Sequence, residues 1–192
     1  MAAPESTIVV EAMLNKGTDE AWAELLELAR ERFCHLARMI KGKQNLPEET
    51  DDLVQKVGLR LFQTPPEVRP KTKREYYGFV ALQIRRELID LVRKARRIPT
   101  PLGQAGTDTP APQDVIANST FDPARLAQWG EFHVKVASLP DEEREVFEML
   151  WYHEINQAEA AEILGISLAT LKRRWLSARQ RLHEFLGGDL PF

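Results

Sequence analysis

The sequence predicts an all-α fold of two small helical domains joined by a flexible linker, the C-terminal one containing a helix-turn-helix. Three observations predict it. Every strongly periodic segment repeats its apolar residues at three and four, and no stretch alternates convincingly as a strand would. Residues 98–122, rich in proline and glycine, carry no periodicity and read as a tether. Beyond the tether, residues 157–182, QAEAAEILGISLATLKRRWLSARQRL, read as two helices folded sharply on each other with a basic outer face.

Residues 1–14 form a short lead in which Val9, Val10, Met13 and Leu14 mark the start of a helix. From Asp19, the expected cap, the series Ala21, Trp22, Leu25, Leu28, Ala29, Phe33, Leu36, Ala37 and Ile40 runs at helical spacing to about residue 41. Pro47 with Glu48, Glu49, Asp51 and Asp52 then supplies the acidic opening that a helix dipole favours. In that second helix Leu53, Val54, Val57, Leu61 and Phe62 face inward, leaving Asp52, Gln55, Lys56 and Arg60 as an outward row. Pro65, Pro66 and Pro70 forbid a continuous helix through the next loop.

A third long helix, about 74 to 97, buries Tyr77, Val80, Ala81, Ile84, Leu88, Leu91 and Ala95. From residue 71 to 97 the bases Lys71, Lys73, Arg74, Arg85, Arg86, Arg93, Lys94, Arg96 and Arg97 face only Glu75, Glu87 and Asp90. Tyr76, Tyr77 and Phe79 stand near its start. Aromatics beside a basic groove are platforms for unstacked bases, and the same residues fit a core equally well. The tether that follows is charged only by Asp108, Asp114 and Asp122.

Asp122 and Pro123 open a helix through Leu126, Trp129, Phe132, Val136 and Leu139. Pro140, followed by Asp141, Glu142 and Glu143, opens another that buries Val146, Phe147, Leu150 and Trp151. In the helix-turn-helix, Ala160, Ala161 and Leu164 give the first helix an apolar edge. Gly165 can take the positive φ of a C-cap, and Ser167 can cap the second helix, whose stripe is Leu171, Trp175, Ala178 and Leu182. Ala169, Thr170, Lys172, Arg173, Leu176, Ser177 and Gln180 are left outside, with Arg174, Arg179 and Arg181 on the flanks. A solvated helix mixes charge signs, whereas no acid intervenes between Lys172 and Arg181. One-signed charge of this kind suits a polyanion.

At 192 residues with a net charge of −3, the chain can bury a core, and any nucleic-acid binding has to come from local polarisation. Cys34 stands alone, so no internal disulfide is expected, and His35, His133, His153 and His183 lack metal-ligand spacing. No metal, cofactor or catalytic residue is expected, since no P-loop or triad is legible. The stretch GISLA at 165–169 lacks the final glycine and preceding strand of a nucleophile elbow. Nothing reads as a signal peptide or membrane span, so the expected compartment is the cytoplasm.

The ordered set of segments resembles the extracytoplasmic function sigma factors of bacterial RNA polymerase. DDLVQKVGLRLF at 51–62 is similar to the family's D-L-V-Q-E-V-F-L-R-L-W helix, with Lys56 where Glu is usual. FVALQIRRELIDLVRKARR at 79–97 is similar to its promoter-melting helix, with Phe79 for the frequent Trp and Arg86 for the frequent Asn. Leu139, Pro140, Arg144 to Phe147 and the segment 161–179 look like its C-terminal domain.

The resemblance implies a lead at 1–14, a region 2 like domain at 15–97, the linker at 98–122 and a region 4 like domain at 123–192. It implies core polymerase binding through Asp51, Asp52, Leu53, Gln55 and Lys56. Contacts to the melted element would come from Tyr76, Phe79, Arg85, Arg86, Arg93, Arg96 and Arg97. Contacts to the upstream element would come from Ser167, Ala169, Thr170, Lys172, Arg173, Arg174, Ser177, Arg179 and Arg181. The implied partners are core RNA polymerase and promoter DNA, with room for an anti-sigma factor and no membrane. The alternative is an autonomous helix-turn-helix regulator with an N-terminal sensing or dimerisation domain, which leaves the 51–62 helix unexplained.

Overall fold

The computed structural model describes residues 5–41, 63–95 and 123–187, and its elements there are helical. The expected helix at 47–62, with Asp51, Asp52, Leu53, Gln55 and Lys56, lies outside the described residues, as do Arg96, Arg97 and the linker 98–122. So do the side chains of Ile40, Leu91, Ala95 and Leu126.

The lead is itself a helix, α1 (Glu5–Lys16), stopped by Gly17 at φ +62°. α2 (Asp19–Lys41) follows, and its cap is not Asp19 but Thr18, whose Oγ1 accepts from the Ala21 amide at 3.2 Å. The hydroxyl one position earlier reaches the orphan amide, and Asp19 pairs with Arg69 at 2.6 Å instead. A short 3-10 turn (Pro66–Val68) occupies the proline loop.

α3 (Lys73–Ala95) opens with a reciprocal cap. Thr72 Oγ1 accepts from the Glu75 amide at 3.2 Å, and Glu75 Oε2 accepts from the amides of Lys71 and Thr72. A threonine followed three residues later by glutamate, just before an apolar run, is a readable signal that the sequence analysis passed over.

In the C-terminal half, α4 (Pro123–Ala137) and α5 (Asp141–Phe147) are followed without a break by one π-helical turn (Glu148–Tyr152). The widened turn closes through His153 N donating to Glu148 O at 3.2 Å. The helix-turn-helix is α6 (Gln157–Leu164) and α7 (Leu168–Phe185).

One continuous cluster of buried side chains runs through both halves of the chain. It includes Trp22, Phe33, Tyr77, Ile84 and Leu88 from the first half and Trp129, Phe132, Phe147, Tyr152, Leu171 and Leu182 from the second. The joint lies where α3 crosses α4 and meets the π turn. The two helical units are therefore in contact, which the tether-like composition of residues 98–122 did not indicate.

Candidate nucleic-acid interface

The angle between α6 and α7 is set locally. Gly165 takes φ +65° and ψ 34°, the left-handed conformation a side chain would resist, and its amide and that of Ile166 return to Glu162 O and Ala161 O. Ser167 Oγ accepts from the Thr170 amide at 3.1 Å and starts α7. Asn156 caps α6 in the same way through the Glu159 amide at 3.0 Å. Leu171, Ala178 and Leu182 are buried beneath α7, while Trp175 is half-buried with its ring 5.4 Å from that of Phe147.

The outward face is narrower than the sequence suggests. Ser167, Ala169, Lys172, Arg173 and Arg179 are exposed, and Leu176 stands 66% exposed among them. Arg179 lies over the Trp175 ring at 5.7 Å, which holds its guanidinium along the helix. The expectation of a one-signed face is corrected at three positions by the acidic first turn of α5. Arg174 pairs with Glu142, Ser177 Oγ donates to Glu143 at 2.9 Å, and Arg181 pairs with Glu143 at 3.0 Å. A phosphate has to displace carboxylates to reach Arg174 or Arg181. Thr170 is half-buried, its hydroxyl 2.9 Å from Ser167 Oγ.

On α3 the expected melted-strand contacts separate into distinct environments. Tyr76 is a core residue, which corrects its assignment as a stacking platform. Its ring is buried and its hydroxyl donates to Leu25 O at 2.8 Å, so burial drives the phenol's pKa upward. Phe79 is half-buried with its ring 6.2 Å from Trp22. Arg86 and Arg93 are exposed, the latter 3.6 Å from Asp90. Arg85, expected on a DNA surface, is instead buried and paired with Glu148 of the π turn. Burial pushes the Glu148 carboxyl upward against the pull of Arg85 and of Arg144, 3.8 Å away.

Around that pair lies a polar network that the sequence reading missed. His153 Nε2 donates to Tyr77 O at 2.8 Å with the rings 4.8 Å apart, and burial pushes its pKa down to about 4. His133 Nδ1 lies 2.7 Å from the Tyr152 hydroxyl, and burial, aided by the charge of Arg85, pushes its pKa down to about 3. Arg32 of α2 donates to the carbonyl oxygens of Trp151, at 3.1 Å, and Tyr152, so a cation closes the C-terminal end of the π turn. Among the described residues no group of three or more His, Cys, Asp and Glu side chains could hold a metal ion, and no helix is long and apolar enough to cross a membrane.

The family model for sigma-70 region 2 matches residues 25–98, and that for sigma-70 region 4 matches residues 136–184. Over 188 residues the chain is 24% identical to the ECF RNA polymerase sigma factor SigE of Mycolicibacterium smegmatis, a match covering 95% of this chain and 68% of the relative. Among solved structures it matches CnrH in complex with the cytosolic domain of CnrY, with a TM-score of 0.37 and 21% identity over 96% of this chain and 99% of that one.

Proposed function

The chain belongs to the sigma-70 family as an extracytoplasmic function sigma factor of RNA polymerase, and from that membership we propose how its own residues divide promoter recognition. α7 enters the major groove of the upstream element. Thr170 and Arg173 read base edges there, with the Leu176 methyl groups placed for a thymine methyl, while Lys172 and Arg179 hold phosphates. Ser177, bound to Glu143, fixes the seat of α7 rather than reading a base.

On the downstream side Phe79, Arg86, Arg93, Arg96 and Arg97 engage the melted strand. Stacking on an aromatic returns roughly 1–3 kcal/mol, comparable with the few kcal/mol that unstacking a base costs. Asp51, Asp52, Leu53, Gln55 and Lys56 dock on core polymerase, which brings the two DNA-binding units to a fixed spacing and so raises their combined affinity. The chain supplies recognition and no bond-making chemistry. Core polymerase and promoter DNA are the partners the family implies. An anti-sigma factor is a third, resting on the family resemblance alone.

The observation that supports this reading most directly is the exposed basic face of α7, held between the Gly165 turn and the Ser167 cap. Gel filtration with core RNA polymerase tests it. Co-elution that is lost in the Asp52→Arg, Gln55→Ala double variant is the expected result. No co-elution, together with salt-sensitive DNA binding by the free protein, would replace it with the autonomous regulator.

A further inference from the structure

The proline loop that leads into α3 has little apolar surface to hold it. No residue of its 3-10 turn (Pro66–Val68) is buried, and Val68 is 65% exposed. Beneath it lies a cavity of about 200 Å³ whose lining includes Met13, Leu14, Trp22, Leu25, Pro66 and Arg69, so packing does not prop the loop from below. A segment with so few buried contacts belongs to the low-stability end of a fold. Arg69 is the residue that reaches inward. Its Nε donates to Thr64 O at 3.3 Å, closing the loop on itself, and its Nη1 donates to Asp19 Oδ1 at 2.6 Å, fastening the loop to the first residue of α2.

The same guanidinium lies 5.4 Å from the centre of the Trp22 ring. Trp22 is buried, and its ring stands 6.2 Å from that of Phe79 at an angle of 50°. Arg69, Trp22 and Phe79 therefore form a chain of contacts from the loop to the half-buried aromatic of α3 assigned to the melted strand. The ion pair alone does not account for Arg69, because Asp19 is open to water and such a pair adds little stability. A carbonyl, a carboxylate and a ring face met at once suit a planar guanidinium and not an ammonium.

We propose that Arg69 is a positioning residue for strand opening, which holds the Trp22 indole as a fixed wall against which Phe79 keeps the orientation that a melted base stacks on. The inference rests on the assignment of Phe79 to the melted strand. Arg69 touches no DNA in this role and acts only through the two rings. Without its guanidinium the loop loses its tie to α2 and the indole loses the cation beside it. The Phe79 ring then has more orientations to give up when a base arrives, and a group that has to be ordered on binding returns less of its contact energy.

The test uses saturating holoenzyme on a promoter duplex that the wild type selects from a randomised library, with permanganate reactivity followed over time as the measure of opening. Phe79→Ala is expected to slow opening about fivefold or more, the least that loss of a stacking platform implies. Arg69→Ala is expected to slow it about threefold, and to slow it no further in the Phe79→Ala background, because a residue that acts through another has no effect once that other is gone. Arg69→Lys keeps the charge and loses the fork, and is expected to open as slowly as Arg69→Ala. Additive losses in the double variant would mean a general loosening of the fold, and recovery in Arg69→Lys would make Arg69 a phosphate contact. Either result, or an Arg69→Ala that opens at the wild-type rate, overturns the positioning role. A normal rate in Phe79→Ala removes the assignment of Phe79 and the role of Arg69 with it, whereas a slow Phe79→Ala beside a normal Arg69→Ala leaves that assignment standing.

Discussion

His153 and Tyr77 meet across the joint of the two halves, with Nε2 of the imidazole donating to the Tyr77 carbonyl at 2.8 Å in a site closed to water. The bond requires a proton on Nε2 and burial disfavours a second one on Nδ1. His133 is held neutral by the same physics deeper in the C-terminal half.

Stability should therefore fall as the medium is acidified through the ordinary histidine range. Both groups have an ordinary pKa of 6.5, lowered in the folded chain to about 4 for His153 and about 3 for His133. Above pH 6.5 both are neutral folded or unfolded, and they add no pH dependence. Below it the unfolded chain takes up protons that the folded chain refuses, costing up to about 1.4 kcal/mol per pH unit for each histidine until its folded pKa is reached. Urea unfolding at pH 7.5 and 5.5 should differ by roughly 2–3 kcal/mol from these two residues. His153→Gln, which retains a donor for the Tyr77 carbonyl, should remove about half of that difference, and an unchanged difference would refute the assignment.

Tyr76→Phe should cost about 1 kcal/mol of stability, the net value of a buried hydrogen bond, through loss of the donor to Leu25 O. It should leave strand opening intact in a permanganate footprint of the promoter complex. Phe79→Ala should do the reverse in proportion, slowing opening more than it destabilises, because that ring is only half-buried. A footprint abolished by Tyr76→Phe at unchanged stability would return Tyr76 to the DNA surface.

What the sequence made legible is whatever a few neighbouring residues decide. Gly165 and Ser167 specify the turn and cap between α6 and α7 because a left-handed φ and an amide acceptor are local demands. The periodicity of α2 and α3 is equally local. The Arg85–Glu148 pair is not, since 63 positions separate its members and helical spacing cannot say which helix another faces. The same reason hid Glu143 beneath Ser177 and Arg181, and left Tyr76 looking like a surface aromatic. The π turn escaped because its extra residue per turn shifts Trp151 and Tyr152 out of the register that Val146 and Phe147 set.

Glu143→Gln should separate seating from charge. The amide oxygen can still accept from Ser177, whereas Arg181 loses its counter-ion and becomes free for a phosphate. The slope of log K against log salt for the upstream duplex should steepen by about one, with sequence preference unaltered. Glu143→Ala should in addition cost about 1 kcal/mol of stability by leaving Ser177 without its acceptor. An unchanged slope in Glu143→Gln would mean that Arg181 faces no phosphate.

Arg173 and Arg179 lie on the same exposed helix and should nevertheless fail differently. Arg173 projects from the second turn of α7, where a recognition helix reaches base edges, and a bidentate contact to one base discriminates by about 1–3 kcal/mol. Arg173→Ala should therefore lose that amount on the preferred sequence and much less on a sequence altered at the contacted pair, flattening the preference at one position. Arg179 is drawn along the helix by the Trp175 ring toward the flank, the direction of a phosphate. Arg179→Ala should weaken every sequence alike and lower the salt slope by about one. Binding of the full chain to a panel of single-base variants at two salt concentrations distinguishes the two roles. Uniform loss for Arg173→Ala, or a changed base preference for Arg179→Ala, would exchange them.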